Sequence, residues 1–149
     1  AYGKGVVGWI GNKNINLKDK RLINSLLTPF GYVVEYDSEE KLDKLTLIAG
    51  CGPGYIGYFM DSLLRIAQKY GFSKREAENI VEATLSGTLY HLVKTSMTPH
   101  QLIESVSTKE GLTETIIKNL DENNFDLILR DSIGTGYAKM KGIIQELKK

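Results

Sequence analysis

The sequence predicts a mostly helical domain preceded by one small strand–helix–strand unit, and three observations lead there. A strand–helix–strand pattern occurs only before residue 40. From Asp43 onward apolar residues recur almost everywhere at helical spacing. Two capping boxes, Ser73-Lys-Arg-Glu76 and Thr98-Pro-His-Gln101, mark helix starts inside that stretch.

Taken in order, residues 4–11 (Lys-Gly-Val-Val-Gly-Trp-Ile-Gly) read as a short strand. Residues 18–30 place Leu22, Ile23, Leu26, Leu27 and Phe30 at helical spacing, with Gly31 closing that helix. Tyr32-Val-Val-Glu-Tyr36 reads as a second strand. The apolar run Leu45-Thr-Leu-Ile-Ala-Gly50 is acceptable as a strand and leads into a Gly-rich turn. A helix over about 54–70 follows and is apolar nearly all round, through Ile56, Tyr58, Phe59, Met60, Leu63, Leu64, Ile66 and Ala67. A helix without a polar face is buried on several sides, so part of its cover is expected from another subunit. Gly71 ends it. The helix opened by Ser73 runs to about Thr95, with Ala77, Ile80, Val81, Thr84, Leu85, Leu89 and Leu92 in one stripe. Ser86, Gly87 and Thr88 set small residues in its middle, as tight helix packing requires. Thr98 opens a short helix ending near Val106, with Pro99 at the first position, where its missing N–H is harmless. Helices over about 113–123 and 126–148 complete the chain. The last carries Ile133, Tyr137, Met140, Ile144 and Leu147 on one face.

Composition narrows the function. The 149 residues are the length of one domain, and nineteen basic against eighteen acidic residues leave a charge of +1. That balance argues against a nucleic-acid or membrane-surface partner. No apolar run approaches the roughly 20 residues of a membrane span, and these residues show no signal-peptide pattern of a basic start and an apolar stretch. A single cysteine, Cys51, excludes an internal disulfide and suits a reducing, cytoplasmic setting. Two histidines, His91 and His100, in unlike contexts make neither a metal site nor a general base. The chain opens on Ala1 rather than Met, as expected of a processed or truncated product.

Two turns remain as candidates. Gly52, Gly54 and Gly57 satisfy G-x-G-x-x-G, the dinucleotide fingerprint. That fingerprint needs a following parallel strand and an acidic residue for the ribose, and here another capped helix follows instead. Pro53 also removes an N–H where phosphate would want one, so the turn Gly50-Cys51-Gly52-Pro53-Gly54 reads as structural. Cys51 at that helix start has no neighbouring His or Asn to make it a nucleophile. The second turn, 106–113, concentrates Ser107, Thr108, Gly111 and Thr113 before a helix. Hydroxyls and free N–H groups together can cradle a carboxylate, although an ordinary Ser/Thr-capped loop has the same composition.

Together the two turns resemble the C-terminal half of pyrroline-5-carboxylate reductases. The resemblance rests on Gly50-Cys-Gly-Pro-Gly-Tyr55, Gly71, Gly87, and Pro99…Leu102…Val106-Ser-Thr-Lys-Glu-Gly-Leu-Thr113. The lead-in Glu39…Leu42-Asp43…Thr46 adds to it. In that family a Gly-Ser-Gly-Pro-Ala-Tyr turn opens a long buried helix, and a Val-Thr/Ser-Ser-Pro-Gly-Gly-Thr-Thr-like loop follows. The resemblance implies a helical dimerisation domain of the 6-phosphogluconate-dehydrogenase C-terminal type over residues 39–149. Residues 1–38 would be the end of a Rossmann nucleotide-binding domain. It implies reduction of 1-pyrroline-5-carboxylate to L-proline with NADPH or NADH, the cofactor held mainly by an N-terminal domain absent from this chain. A fragment without that domain is expected to be inactive alone. It implies a homodimer of interleaved helices, and possible higher oligomers. Carried over by position, Val106, Ser107, Thr108, Gly111, Leu112 and Thr113 would meet the substrate, with loop amides on its carboxylate and the Thr113 hydroxyl nearest the imine. Catalysis would then work by positioning. The sequence also departs from the pattern: Gly-Cys-Gly-Pro-Gly replaces Gly-Ser-Gly-Pro-Ala, Thr-Lys-Glu-Gly replaces Ser-Pro-Gly-Gly, and Ser96 stands where an acid often precedes the helix. A charge pair, Lys109 and Glu110, thus enters a neutral loop. The competing readings are a non-catalytic oligomerisation module derived from the family, and the helical domain of another small-acid dehydrogenase.

Overall fold

The structure, a computed structural model, describes residues 3–147. Strand β1 (Gly5–Ile10) is followed by helix α1 (Leu17–Leu27), a 3₁₀ turn over Thr28–Phe30 and strand β2 (Gly31–Tyr36). Helices α2 (Glu39–Leu45), α3 (Gly52–Lys69), α4 (Lys74–Thr95), α5 (Pro99–Val106), α6 (Leu112–Glu122) and α7 (Phe125–Leu147) make up the rest. The described chain divides into two compact units: residues up to Ile56 together with those from Ile133, and Gly57–Ser132.

In the first unit β1 and β2 pair in parallel, in register from Gly5 opposite Gly31 to Ile10 opposite Tyr36. A parallel pair needs a crossover, and α1 supplies it. The 3₁₀ turn continues α1 to Phe30, and Gly31 caps it as expected, its amide donating to the Thr28 carbonyl. Gly31 is at the same time the first residue of β2, at φ 137°. A Cβ there would stand 2.5 Å from the Gly5 backbone nitrogen, so only glycine lets the strands meet at this end. Helix α1 opens on a capping box that the sequence reading overlooked. The Asn16 side chain accepts from the Lys18 and Asp19 amides, and Asp19 accepts from the Asn16 amide. Ile23 and Leu27 are its half-buried apolar residues, and the half-buried Asn24 accepts a hydrogen bond from the Trp9 indole at 3.3 Å. Leu22 and Leu26, apolar and correctly spaced for a helix, are exposed instead.

The largest correction concerns residues 45–50. They form no strand. Helix α2 passes into a π-helical turn over Thr46–Gly50, closed by the Cys51 amide on the Thr46 carbonyl at 2.8 Å. The Tyr55 hydroxyl donates to the Ile48 carbonyl at 2.8 Å, occupying an acceptor that the wide turn leaves over. The residues of α7 from Ile133 onward also belong to this unit. Ile133, Tyr137, Met140 and Ile144 are half-buried as their spacing predicts, whereas Leu147 is exposed. Lys141 reaches Asp43 of α2 at 3.3 Å and lies 5.2 Å from the Tyr137 ring centre. Hydrogen bonding first to Tyr137 and then to Asp43 holds the Lys141 ammonium above its ordinary pKa.

In the second unit α3 ends in a Schellman arrangement: the Phe72 amide donates to Ala67 and the Gly71 amide to Gln68, with Gly71 at φ 96°. Both predicted capping boxes form. Ser73 Oγ accepts from the Glu76 amide while Glu76 accepts from the Ser73 amide at 2.8 Å. Thr98 and Gln101 repeat the pattern. Ala77 and Val81 are the only buried hydrophobic residues among those described. The stripe of α4 is therefore covered at its N-terminal end and open at Leu89, and the hydroxyls of Thr84, Ser86 and Thr88 fold back onto their own helix.

Candidate functional site

Helix α5 ends at Val106 because Ser107 leaves the helical region, at φ −95° and ψ 92°, while its amide still donates to the Ile103 carbonyl at 3.0 Å. Thr108, Lys109 and Glu110 then make a tight turn closed by the Gly111 amide on the Thr108 carbonyl at 2.8 Å. Glu110 takes the left-handed conformation at φ 60°. Gly111 is the N-cap of α6, extended at φ −84° and ψ 169°, and offers no side chain to the first-turn amides. A Cβ on Gly111 would meet the Thr108 carbonyl oxygen at 2.8 Å, so the turn closes only on glycine.

This geometry gives the predicted loop a definite chemistry. The amides of Leu112, Thr113 and Glu114 stand in the first turn of α6, where no helical carbonyl lies behind them and no cap side chain takes them. They present partial positive charge where an anion can be received. Thr113 is half-buried, and in the first turn its hydroxyl has no helical carbonyl four residues back. The Ser107 hydroxyl is buried and has no hydrogen-bond partner among the described residues. Such an orphan costs about 1–3 kcal/mol unless a guest or water completes it. Val106 and Leu112 expose apolar surface on either side of the turn, Leu112 at 85%. One part of the expected cradle is already filled: the Glu110 amide donates to Glu114 Oε2 at 2.5 Å. Sequence reasoning missed Glu114. Its signal was present, an acid three residues after the N-cap, but Gly111 in place of Ser or Thr disguised the box.

The helix-opening turn behaves otherwise. Gly50 ends the π-helical turn, Cys51 joins it to α3 at φ −84° and ψ −18°, and Gly52, Pro53 and Gly54 are already helical. Cys51 is free and exposed, and Gly52 is buried. The G-x-G-x-x-G match therefore follows a helix and contains no turn of its own. These residues do not fit a dinucleotide phosphate, which needs a strand, a loop and then a helix. The two sets of candidate residues also fall in different units, Gly50–Gly54 in the first and Val106–Thr113 in the second. No group of three or more His, Cys, Asp or Glu among the described residues could hold a metal ion. No described helix is long and apolar enough to cross a membrane.

Comparison with known proteins places this architecture. The sequence model for pyrroline-5-carboxylate reductase dimerisation matches residues 39–143. A pyrroline-5-carboxylate reductase of Aquifex aeolicus is 31% identical over 142 residues, covering 95% of this chain and 53% of the relative. Among solved structures, the Coxiella burnetii pyrroline-5-carboxylate reductase superposes with a TM-score of 0.87 at 27% identity, over 94% of this chain and 52% of that one. The Plasmodium falciparum pyrroline carboxylate reductase, solved with NADP bound, gives 0.83 at 28% identity, over 94% and 53%. The chain thus spans about half the length of the relatives it matches. A family match running from the start of α2 almost to the end of α7, on a helical fold shared with solved reductases, assigns the chain to the pyrroline-5-carboxylate reductase dimerisation family.

Proposed function

We propose that residues 39–149 are the dimerisation and substrate domain of a pyrroline-5-carboxylate reductase-like oxidoreductase, and that residues 1–38 are the end of its nucleotide-binding domain. The observation that carries the substrate role is the loop Val106–Thr113. It joins uncapped first-turn amides to a buried, unpartnered Ser107 hydroxyl in a chain of this family. The Leu112 and Thr113 amides receive the substrate carboxylate through the positive end of α6. Ser107 and Thr108 supply hydroxyls to the same anion, and Gly111 keeps the backbone close to it. Val106 and Leu112 pack on the ring, and the Thr113 hydroxyl sits nearest the imine nitrogen, where a proton must arrive as the C=N bond is reduced. NADPH or NADH supplies the hydride for that reduction and is held mainly by residues outside 1–149. The contribution of this chain is orientation of the reacting carbon and shielding from water.

The second part of the proposal is a homodimer. Only Ala77, Val81 and Gly52 are buried among the described residues, while Ile56, Tyr58, Phe59 and Ile66 of the all-round apolar helix lie open. A second copy of this helical domain covers them. The deciding measurement is NAD(P)H oxidation by the intact protein with pyrroline-5-carboxylate. Thr113→Ala should lower kcat by about tenfold to hundredfold, and Thr113→Ser should keep most of it. Equal turnover by all three removes Thr113 from the mechanism. A dimer with no turnover and no L-proline binding leaves an oligomerisation module.

A further inference from the structure

Three helix starts in this protein use one device. In α1, α4 and α5 the N-cap side chain takes a first-turn amide, and the third helical residue takes the N-cap amide in return. Helix α6 keeps only half of it. Gly111 has no side chain to accept a first-turn amide, and its own amide is spent on the Thr108 carbonyl. Glu114, the third helical residue, reaches one residue further back and takes the Glu110 amide at 2.5 Å. Glu110 needs that anchor, because its left-handed conformation at φ 60° is unfavourable for any residue with a Cβ. A carboxylate accepting from an amide is among the stronger hydrogen bonds available to do this.

We propose that Glu114 is a positioning residue for the loop. By holding the Glu110 amide it closes the Thr108–Gly111 turn in the form that leaves the Leu112 and Thr113 amides open to a carboxylate. Glu110 and Glu114 belong to none of the substrate contacts assigned above, and the proposal rests on the reading of Val106–Thr113 as the substrate loop. The Ser107 hydroxyl, buried and without a partner among the described residues, lies in the same loop.

The test uses the intact protein. Glu114→Ala should raise KM for pyrroline-5-carboxylate about fivefold to tenfold, a range set by the loss of one anchoring hydrogen bond, with kcat within about twofold. Glu114→Gln keeps an oxygen acceptor and should restore most of the affinity. Glu110→Gly in the Glu114→Ala background should restore it too, because glycine adopts the left-handed turn unaided. An unchanged KM, or a rise that neither change repairs, overturns the proposal. Hydrogen exchange of the Glu110 amide gives a readout independent of turnover. Its protection should fall about tenfold in Glu114→Ala and survive in Glu114→Gln. Absence of any turnover with this substrate sinks the functional reading alone. A Glu110 amide that exchanges freely in the unsubstituted protein sinks the role of Glu114.

Discussion

A buried hydroxyl without a partner and a glycine without room for a methyl group make opposite predictions at the residue scale. Removing the Ser107 hydroxyl deletes a group that the folded chain leaves unsatisfied, so Ser107→Ala should hold stability level or raise it by up to about 1 kcal/mol. The same change should weaken L-proline binding about tenfold, which thermal unfolding with and without the ligand would measure. A loss of stability in the unliganded protein would mean that the hydroxyl has an internal partner and no guest. Gly111→Ala acts on the backbone, because the added Cβ meets the Thr108 carbonyl oxygen, which cannot move without opening the turn. It should destabilise by about 1–3 kcal/mol and shift the amide resonances of residues 107–114. These residues were legible in the sequence as a loop with hydroxyls before a helix. The conformation of Glu110 was not legible, since a left-handed residue with a side chain is set by the hydrogen bonds around it.

At the scale of elements, capping carries most of the local specification. Glu76 sits below its ordinary pKa because the Ser73 hydroxyl and then the Ser73 amide hydrogen-bond to its carboxylate. Asp37 and Glu40 are lowered in the same direction, mainly by Lys41 and Lys44. A carboxylate whose pKa is depressed by folding contributes stability above its unfolded value and loses it as the pH falls through the folded one. The first turn of α4 should therefore fray on acidification below the ordinary glutamate range. Hydrogen exchange at residues 76–78 would follow it, and Glu76→Gln should remove that pH dependence. If the fraying persists in Glu76→Gln, another group drives it. Ser73→Ala should cost about 1 kcal/mol at neutral pH and less once Glu76 is protonated. The helix starts at Ser73 and Thr98 were readable because a capping box is local. The π-helical turn at Thr46–Gly50 was not, since its composition of Thr, Leu, Ile, Ala and Gly suits a strand equally well. In the fold this segment pairs with neither β1 nor β2 and closes as a helical turn instead.

At the scale of the whole molecule, burial is the decisive quantity. Among the described residues only Gly52, Ala77 and Val81 are buried. Apolar side chains at Tyr58, Leu89, Val93 and Ile116 lie open, each well above half exposed. The proposed cover is a second copy of the chain, so sedimentation at micromolar concentration should give a dimer. Tyr58→Asp with Leu89→Asp should yield monomers that aggregate or unfold, and a stable monomer of the unsubstituted chain would end the proposal. The sequence by itself determined most of the helices, the caps at Ser73 and Thr98 and the strand–helix–strand unit, because periodicity and capping act over a few residues. It also held enough of the two turns, Gly50–Gly54 and Val106–Thr113, to identify the family. Only the tertiary structure decided that the G-x-G-x-x-G glycines are helical, that Lys141 pins α7 to Asp43 across 98 residues, and that Glu114 already occupies one amide of the loop. Those outcomes depend on which backbone groups are left without partners once the elements have packed, and no window of sequence contains that information.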